Sequence, residues 1–433
     1  MTVSLIKIRS RNKLFSVLAA AAATALLPCA AWSARVVRSN TELNLDARYG
    51  RPFDGHESLD LHRYDLQIGT VEQRGEYLFK GDVRLRADAV HPIPAQAYNS
   101  GEVTIRDFYV QYKSMPWLVQ AGNQQAVWGE TFGAYYADIV NPKDYRDFGL
   151  MDLEYQRIPV PMINIKHVRK SGAFQFLLIP QPRFNKLPVP GSDFYPALGT
   201  IPLSSISIAD DNPLPIAIKN MDVGFRFTSQ IKGYDLSWFY LNYLDRMPYY
   251  TTALQLNPFV VRLTPLHKRI HSLGFTGTAD LSTFLLRWET VWTPSRTFSA
   301  FLNNSYVNAE AGELTYVLGA DYTRLGNWAS GLQFSQTLHG AGFPEGGLSP
   351  KTQTLLALHA TGPVWGQQTL ETTLSYMFSD GGWIGQLKYW LPQSKVLEIG
   401  LGADVLQGSA TSAFGQYSKA SRATAQVRIR LSN

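Results

Sequence analysis

The residues from which this chain could build a reactive centre are few and scattered. His267 and His271 stand four apart, a spacing that shares one face on a helix or a strand. With no carboxylate pair or third ligand beside them they do not complete a metal site. His56, His62, His91, His167, His339 and His359 lie far from one another. No strand-turn-helix GxSxG elbow and no glycine-rich phosphate loop is present. The sequence therefore calls for no catalytic residue, no metal and no cofactor. Groups assembled across strands escape spacing arguments, so a lipid-modifying enzyme stays as a third alternative.

Charged side chains carry a clearer pattern. In "YLFKGDVRLRAD", Tyr77, Phe79, Val83, Leu85 and Ala87 take one side of an extended chain, and Lys80, Asp82, Arg84, Arg86 and Asp88 the other. "MDVGFRFTSQ" sets Val223, Phe225 and Phe227 against Asp222, Arg226 and Gln230. Arg287 and Glu289 share a polar face, as do Arg428 and Arg430. Mixed-sign rows of this kind pair across strands and hold a wall together. As a set they also form a charged channel lining. No single sign dominates, so strong anion or cation selectivity is not expected.

Two architectures give one-sided strands, a soluble sandwich and a membrane barrel turned inside out. The pattern alone does not separate them, but the connections between strands do, once the N-terminus and the composition are read. Lys7, Arg9, Arg11 and Lys13 precede the apolar run 14–27, and Ala31-Trp32-Ser33 offers a cleavage site, so residues 1–34 are expected to be a signal peptide. Its removal takes the only cysteine, Cys29, and with it disulfide and thiol chemistry. It also takes four of the 40 basic residues, which against 34 acidic ones leaves a mature charge of +2. Nucleic acid loses its support as a partner. Aromatic residues make up 12% of the chain and charged ones only 17%, as suits a surface facing lipid.

Eighteen alternating intervals run from 41–49 to 421–432. The gaps between them alternate short and long. Lys170-Ser171, Lys232-Gly233 and Gly326 are short, whereas 126–159, 181–218, 247–268, 294–311, 340–349 and 408–420 are long. Only the gap after 368–380 breaks the rule. The expected fold is all-β: a transmembrane up-and-down antiparallel β-barrel of about 16–18 strands, with residues 35–433 as a single outer-membrane domain. The loop 181–218 is proline-rich and expected outside. The intervals 173–179 and 234–245 are apolar on both faces and fit no simple assignment.

One gap is unlike the others. In "WGETFGAYYADIVNPKDYRDFGL" (128–150), Asn141 reads as an N-cap, Pro142 as the first helical residue, Asp144 as a dipole partner and Gly149 as the stop. The pattern predicts a short amphipathic helix, and the segment 126–159 is expected to fold into the lumen as a constriction. Trp128, Glu130, Asp138, Asn141, Asp144 and Arg146 from the loop, with Arg84, Arg86, Arg226, Arg287 and Glu289 from the wall, are the expected lining.

The stretches 106–112, 119–130, 138–147 and 414–433 resemble domain-of-unknown-function family 1302. Trp128, Gly129, Glu130, Asp138, Asn141, Pro142, Asp144 and Arg146 match its most recognisable part. The resemblance implies a Gram-negative outer-membrane barrel in contact with lipopolysaccharide and inserted by the barrel-assembly machinery. It further implies an RND/MMPL-type permease and a LolB-like periplasmic protein as partners. The function expected is a channel for small organic or lipid-like molecules. The alternative is a plugged barrel that docks partners and conducts nothing.

Overall fold

In hydrocarbon an unpaired backbone N–H or C=O costs several kcal/mol, so a membrane-crossing strand must be paired along both edges. The computed structural model describes residues 38–55, 61–88, 101–129, 131, 136–150, 153–190, 192–196, 205–211, 213–302, 305–344 and 350–432, and it meets that demand by closing one sheet on itself. The first strands are β1 (Arg38–Pro52), β2 (Leu61–Arg74), β3 (Tyr77–Asp88), β4 (Gly101–Ser114), β5 (Trp117–Gln124), β6 (Val160–Arg169) and β7 (Gly172–Ile179). After a short β8 (Ile206–Ile208) come β9 (Asp222–Ile231), β10 (Tyr234–Leu244), β11 (Tyr249–Leu256) and β12 (Phe259–Leu266). The next are β13 (Arg269–Asp280), β14 (Phe284–Leu302), β15 (Ser305–Leu325), β16 (Trp328–His339) and β17 (Thr352–Trp365). The last are β18 (Gln368–Met377), β19 (Trp383–Pro392), β20 (Leu397–Gln407) and β21 (Arg422–Ser432).

Eighteen strands form the wall, and all but β8, β11 and β12 belong to it. β21 pairs with β1, from Glu42 opposite Ser432 to Pro52 opposite Arg422, and this seam closes the barrel. The connections at one end are tight. Lys232 and Gly233 both take positive φ (50 and 86), the pair of left-handed residues that a type I′ turn needs to follow the strand twist. Tight turns mark the periplasmic end of outer-membrane barrels and long loops the external one.

The wall is inside out. Val103, Phe108, Leu318, Leu332 and Leu358 are exposed, whereas Asp82, Arg84, Arg86, Gln333 and Ser335 are buried. Charges hidden and leucines bare is the polarity of a surface made for lipid.

All eighteen expected intervals coincide with wall strands, and two of the expected loops differ. The gap 294–311 is not a loop. β14 and β15 run on into it and reach total lengths of 19 and 21 residues, where about 9–11 cross a bilayer. Pro294 looks like a breaker, but it sits where the register shifts between Thr293 and Arg296, a bulge that tolerates the missing N–H. The gap 247–268 contains the β11–β12 hairpin, which adds β8 in parallel to make a small external sheet. The short gap at 378–382 is genuine and lies at the long-loop end. Residues 1–34 fall outside the described residues.

Leu332 projects into lipid from the middle of β16. Leu332→Arg is expected to cost about 2–4 kcal/mol, measured by reversible denaturant unfolding in lipid vesicles.

Candidate functional site in the barrel lumen

Between β5 and β6 the chain turns into the barrel. Asn141 ties the base of this excursion together. Its Oδ1 accepts the Ala126 N–H at 2.8 Å, and its Nδ2 donates to the Ile158 carbonyl at 3.0 Å. Trp128 is fully buried, and its Nε1 donates to Gln175 Oε1 on β7 at 3.1 Å. Its ring lies over Gly224 of β9 so closely that a Cβ there would stand 2.9 Å from it. Glu289, on β14, accepts the Thr131 N–H at 2.8 Å and the Ala137 N–H at 3.1 Å. One carboxylate on β14 thus holds the segment by two of its backbone amides.

The expected helix at 141–149 does not form. Residues 143 and 144 are extended, bridged to Arg157 and to Lys186 respectively. Asp144 N–H donates to Gln156 O at 2.7 Å, Tyr145 N–H to Lys186 O at 2.8 Å and Ile158 N–H to Pro142 O at 2.8 Å. Those bonds to neighbouring chain replace the i to i−4 bonds of a helix, and the capping residues find other work. Asp144 Oδ1 accepts the Arg146 N–H, and its carboxylate also binds the Arg146 guanidinium. Phe148 and Gly149 then make a tight left-handed turn with φ of 50 and 83. A short helical turn follows at Leu153–Gln156.

That turn reaches the charged wall. Asp147 takes both terminal nitrogens of Arg63 on β2, at 2.7 and 3.0 Å, with Arg86 of β3 at 3.7 Å. Burial alone would raise the Asp147 carboxyl. The Arg63 and Arg86 guanidiniums and the Arg63 hydrogen bond more than reverse this, and hold it far below the usual carboxylate range. Arg48 and Gln386 donate to the Leu150 carbonyl at 3.4 and 3.5 Å. Arg84 lies over the Tyr155 ring at 4.0 Å while bonding Asp65.

This excursion explains the strands that are apolar on both faces. Val160, Met162, Leu177, Ile179, Phe239 and Leu241 point inward, where Trp128, Ala137 and Val140 cover them. Their other faces meet lipid. The two apolar sides answer to two different apolar surroundings.

The expected lining residues take several different roles. Trp128, Asn141 and Glu289 are anchors, buried and fully engaged with the segment. Asp138 is an interior ion partner, with Oδ2 shared by Lys143 at 3.1 Å and Arg157. Asp144 and Arg146 join the wall through Glu102, at 2.8 Å from Arg146. Arg84 and Arg86 gather at the Asp65–Asp147 cluster, whereas Arg226 binds the Val127 carbonyl at 3.2 Å. Arg287 is elsewhere, paired with Asp321 at 2.9 Å. Glu130 lies outside the described residues. The expectation of a mixed lining hides a segregation by strand: β1–β4 carry paired arginines, while β13, β15 and β16 turn Thr276, Thr315, Gln333, Ser335 and Thr337 inward.

Exposure varies with depth. Near the tight turns, lumen side chains are open: Lys80 at 35%, Arg287 at 28%, Asp321 at 26%. At the level of the excursion Arg63, Arg84, Arg86 and Asp147 fall below 10%. Small gaps of about 50 and 30 Å³ remain there, the first beside Arg48, Asp65 and Tyr155, the second beside Glu102, Arg106 and Lys186. Above the excursion a cavity of about 660 Å³ opens between it, the 181–218 loop and the β20–β21 loop. The histidine pair forms no centre: His267 stacks on Phe184 at 3.3 Å and binds Asp211, while His271 is exposed on β13. Among the described residues no three His, Asp or Glu are grouped for a metal.

Several participants were not anticipated. Asn185, Lys186 and Phe194 belong to the loop expected outside, yet Asn185 Oδ1 accepts the Lys143 N–H at 2.7 Å and Phe194 stacks on Phe148. Arg63 and Arg246 were missed as well, the latter binding Asp222 at 2.8 Å and the Val140 carbonyl at 3.0 Å. Conjunctions of this kind have no spacing signal, because they join residues far apart in sequence, 42 for Lys143 and Asn185, 84 for Arg63 and Asp147 and 106 for Val140 and Arg246.

A closed antiparallel barrel of eighteen strands, apolar outside and charged within, has the architecture of an outer-membrane porin. The chain belongs to the family described as "Protein of unknown function (DUF1302)", whose model matches residues 72–357. No curated protein sequence matches it. Among solved structures it is similar to OccK8 (OprE) of Pseudomonas aeruginosa, at 9% identity and a TM-score of 0.55 over 93% of this chain and 99% of that one. OccAB1 of Acinetobacter baumannii matches at 9% identity and a TM-score of 0.52, covering 93% and 98%. OpdK of Pseudomonas aeruginosa, solved with vanillate, matches at 8% and 0.50, covering 91% and 99%. At identities this low the likeness shows the fold alone.

Trp128→Ala is expected to cost about 3–5 kcal/mol of local stability, since it empties the contact with Gly224, Phe239 and Gln175. Limited trypsin digestion checks this: new cuts at Lys143, Arg146 or Arg157 should appear while the folded barrel keeps its heat-modifiable migration.

Proposed function

We propose that this chain is an outer-membrane channel for small organic molecules, narrowed by residues 126–159. The observation that carries the reading is the profile along the axis: partly exposed lumen charges toward the periplasmic end, a buried waist where Asp147 meets Arg63, and a cavity above it. A solute passing the waist would travel along the arginines of β1–β4 beside Tyr155, where guanidinium and ring faces favour a small, partly aromatic molecule. The vanillate in the OpdK structure is a solute of that size class. Family resemblance adds an RND/MMPL-type permease and a LolB-like periplasmic protein as candidates for handing the solute on at the periplasmic mouth.

The dense anchoring of the segment favours the second reading, a barrel plugged at rest. The two readings separate on one experiment. Deleting residues 128–149 and recording in planar bilayers should raise single-channel conductance from a small but measurable native value. A native protein that never conducts, with pores only after deletion, would support the plug. Unchanged conductance would remove the segment from the path altogether.

Acid should loosen the waist in a definite direction. Asp147 is held below its unfolded value, so the stabilisation it supplies is complete above about pH 4 and lost as pH falls through its folded value. Conductance should stay flat from neutral pH down to about 5 and rise only at stronger acidity. Asp147→Asn should show the raised conductance at every pH.

A further inference from the structure

The cavity on the external side of the waist has a chemistry of its own. Its volume of about 660 Å³ falls in the range of small-molecule sites, roughly 300–1,000 Å³. Rings and aliphatic side chains dominate its lining, among them Tyr136, Phe148, Tyr195, Tyr250, Ile208 and Leu263. Three cations and three anions also line it, and the cations are all engaged. Lys143 is held by Asp138 and by the Asp138 and Asn141 carbonyls at 2.8 and 2.9 Å. Arg246 is bound by Asp222, and Arg296 lies between Asp245 at 2.7 Å and Glu313 at 2.9 Å. An incoming carboxylate would have to displace one of these carboxylates and would lose its own hydration in doing so.

What the lining does offer is hydrogen-bond acceptance. Asp138 is 2% exposed, and its Oδ1 has no hydrogen-bond partner although Oδ2 is fully used. Gln416, from the β20–β21 loop, likewise keeps Oε1 buried and unpartnered. A buried acceptor without a donor is costly, and a ligand that brings an O–H or N–H relieves that cost.

We propose that this cavity binds a neutral, ring-bearing molecule that carries a hydroxyl or amine donor, and that it discriminates against the corresponding carboxylate. The inference rests on the channel reading only for where the molecule goes next. Binding itself needs no conduction. The site lies above the arginine-lined waist and differs from it in character: aromatic and charge-balanced, where the waist is ionic.

The test uses the full mature chain in lipid nanodiscs, with 2-naphthol and 2-naphthoate as probes and empty nanodiscs as the blank. Titration calorimetry should give saturable one-to-one binding of 2-naphthol, at least about tenfold tighter than 2-naphthoate, a gap of about 1.4 kcal/mol. Ile208→Trp, which fills the cavity from β8, should abolish saturable binding while heat-modifiable migration is retained. Gln416→Ala should weaken it severalfold. Equal or tighter binding of 2-naphthoate would overturn the proposal, because it would place the probe on the arginines. So would naphthol binding that survives Ile208→Trp, or no saturable binding at all. Conductance is scored separately: open pores that bind no naphthol sink this inference and leave the channel, whereas binding without conductance does the reverse.

Discussion

A barrel of eighteen strands encloses more space than its own side chains can fill. Closure at the β1–β21 seam satisfies the backbone, but it leaves an interior wall whose groups have lost half their surroundings. Everything distinctive about this molecule follows from how that interior is completed. The chain completes it with itself, by sending residues 126–159 across the lumen and drawing part of the 181–218 loop after them.

The two sides of the interior need different partners, and one segment serves both. Toward β6, β7, β10 and β14 it presents Trp128, Ala137 and Val140 to apolar strands. Toward β1–β4 it presents Asp147, the Leu150 carbonyl and Tyr155 to arginines. A buried guanidinium without a carboxylate is among the costlier groups a fold can carry, so Arg63 and Asp147 each make the other tolerable. Such a pair fixes position more than it adds stability, which suits a waist. The backbone of the segment is held in the same spirit, by Glu289, Asn141, Lys186 and Gln156.

Much of the wall was legible in the sequence because lipid imposes period two with few exceptions. Tyr77 to Asp88 announces its own orientation, and long-short spacing gives the strand directions everywhere but at the short gap 378–382. Legibility fails where the environment is not lipid or water. The intervals 173–179 and 234–245 looked ambiguous because their inner faces meet Trp128 and Val140 and not a wet lumen. Asn141-Pro142 read as a helix start because capping residues are also good turn and staple residues, and only the tertiary bonds to Ala126 and Ile158 decide between them. The interval 294–311 read as a loop because the bulge at its start leaves no trace in composition. Arg63 was one polar residue among many until Asp147 arrived from 84 positions away.

The described residues between 126 and 159 are a fixed part of the barrel interior. Hydrogen–deuterium exchange on the membrane-embedded protein measures this directly, through the amides of Ala126, Thr131, Ala137, Asp144, Tyr145 and Ile158, all of which have acceptors. The account predicts that they exchange as slowly as the amides of the neighbouring wall strands β5 and β6. Exchange at the rate of a free surface loop would contradict it.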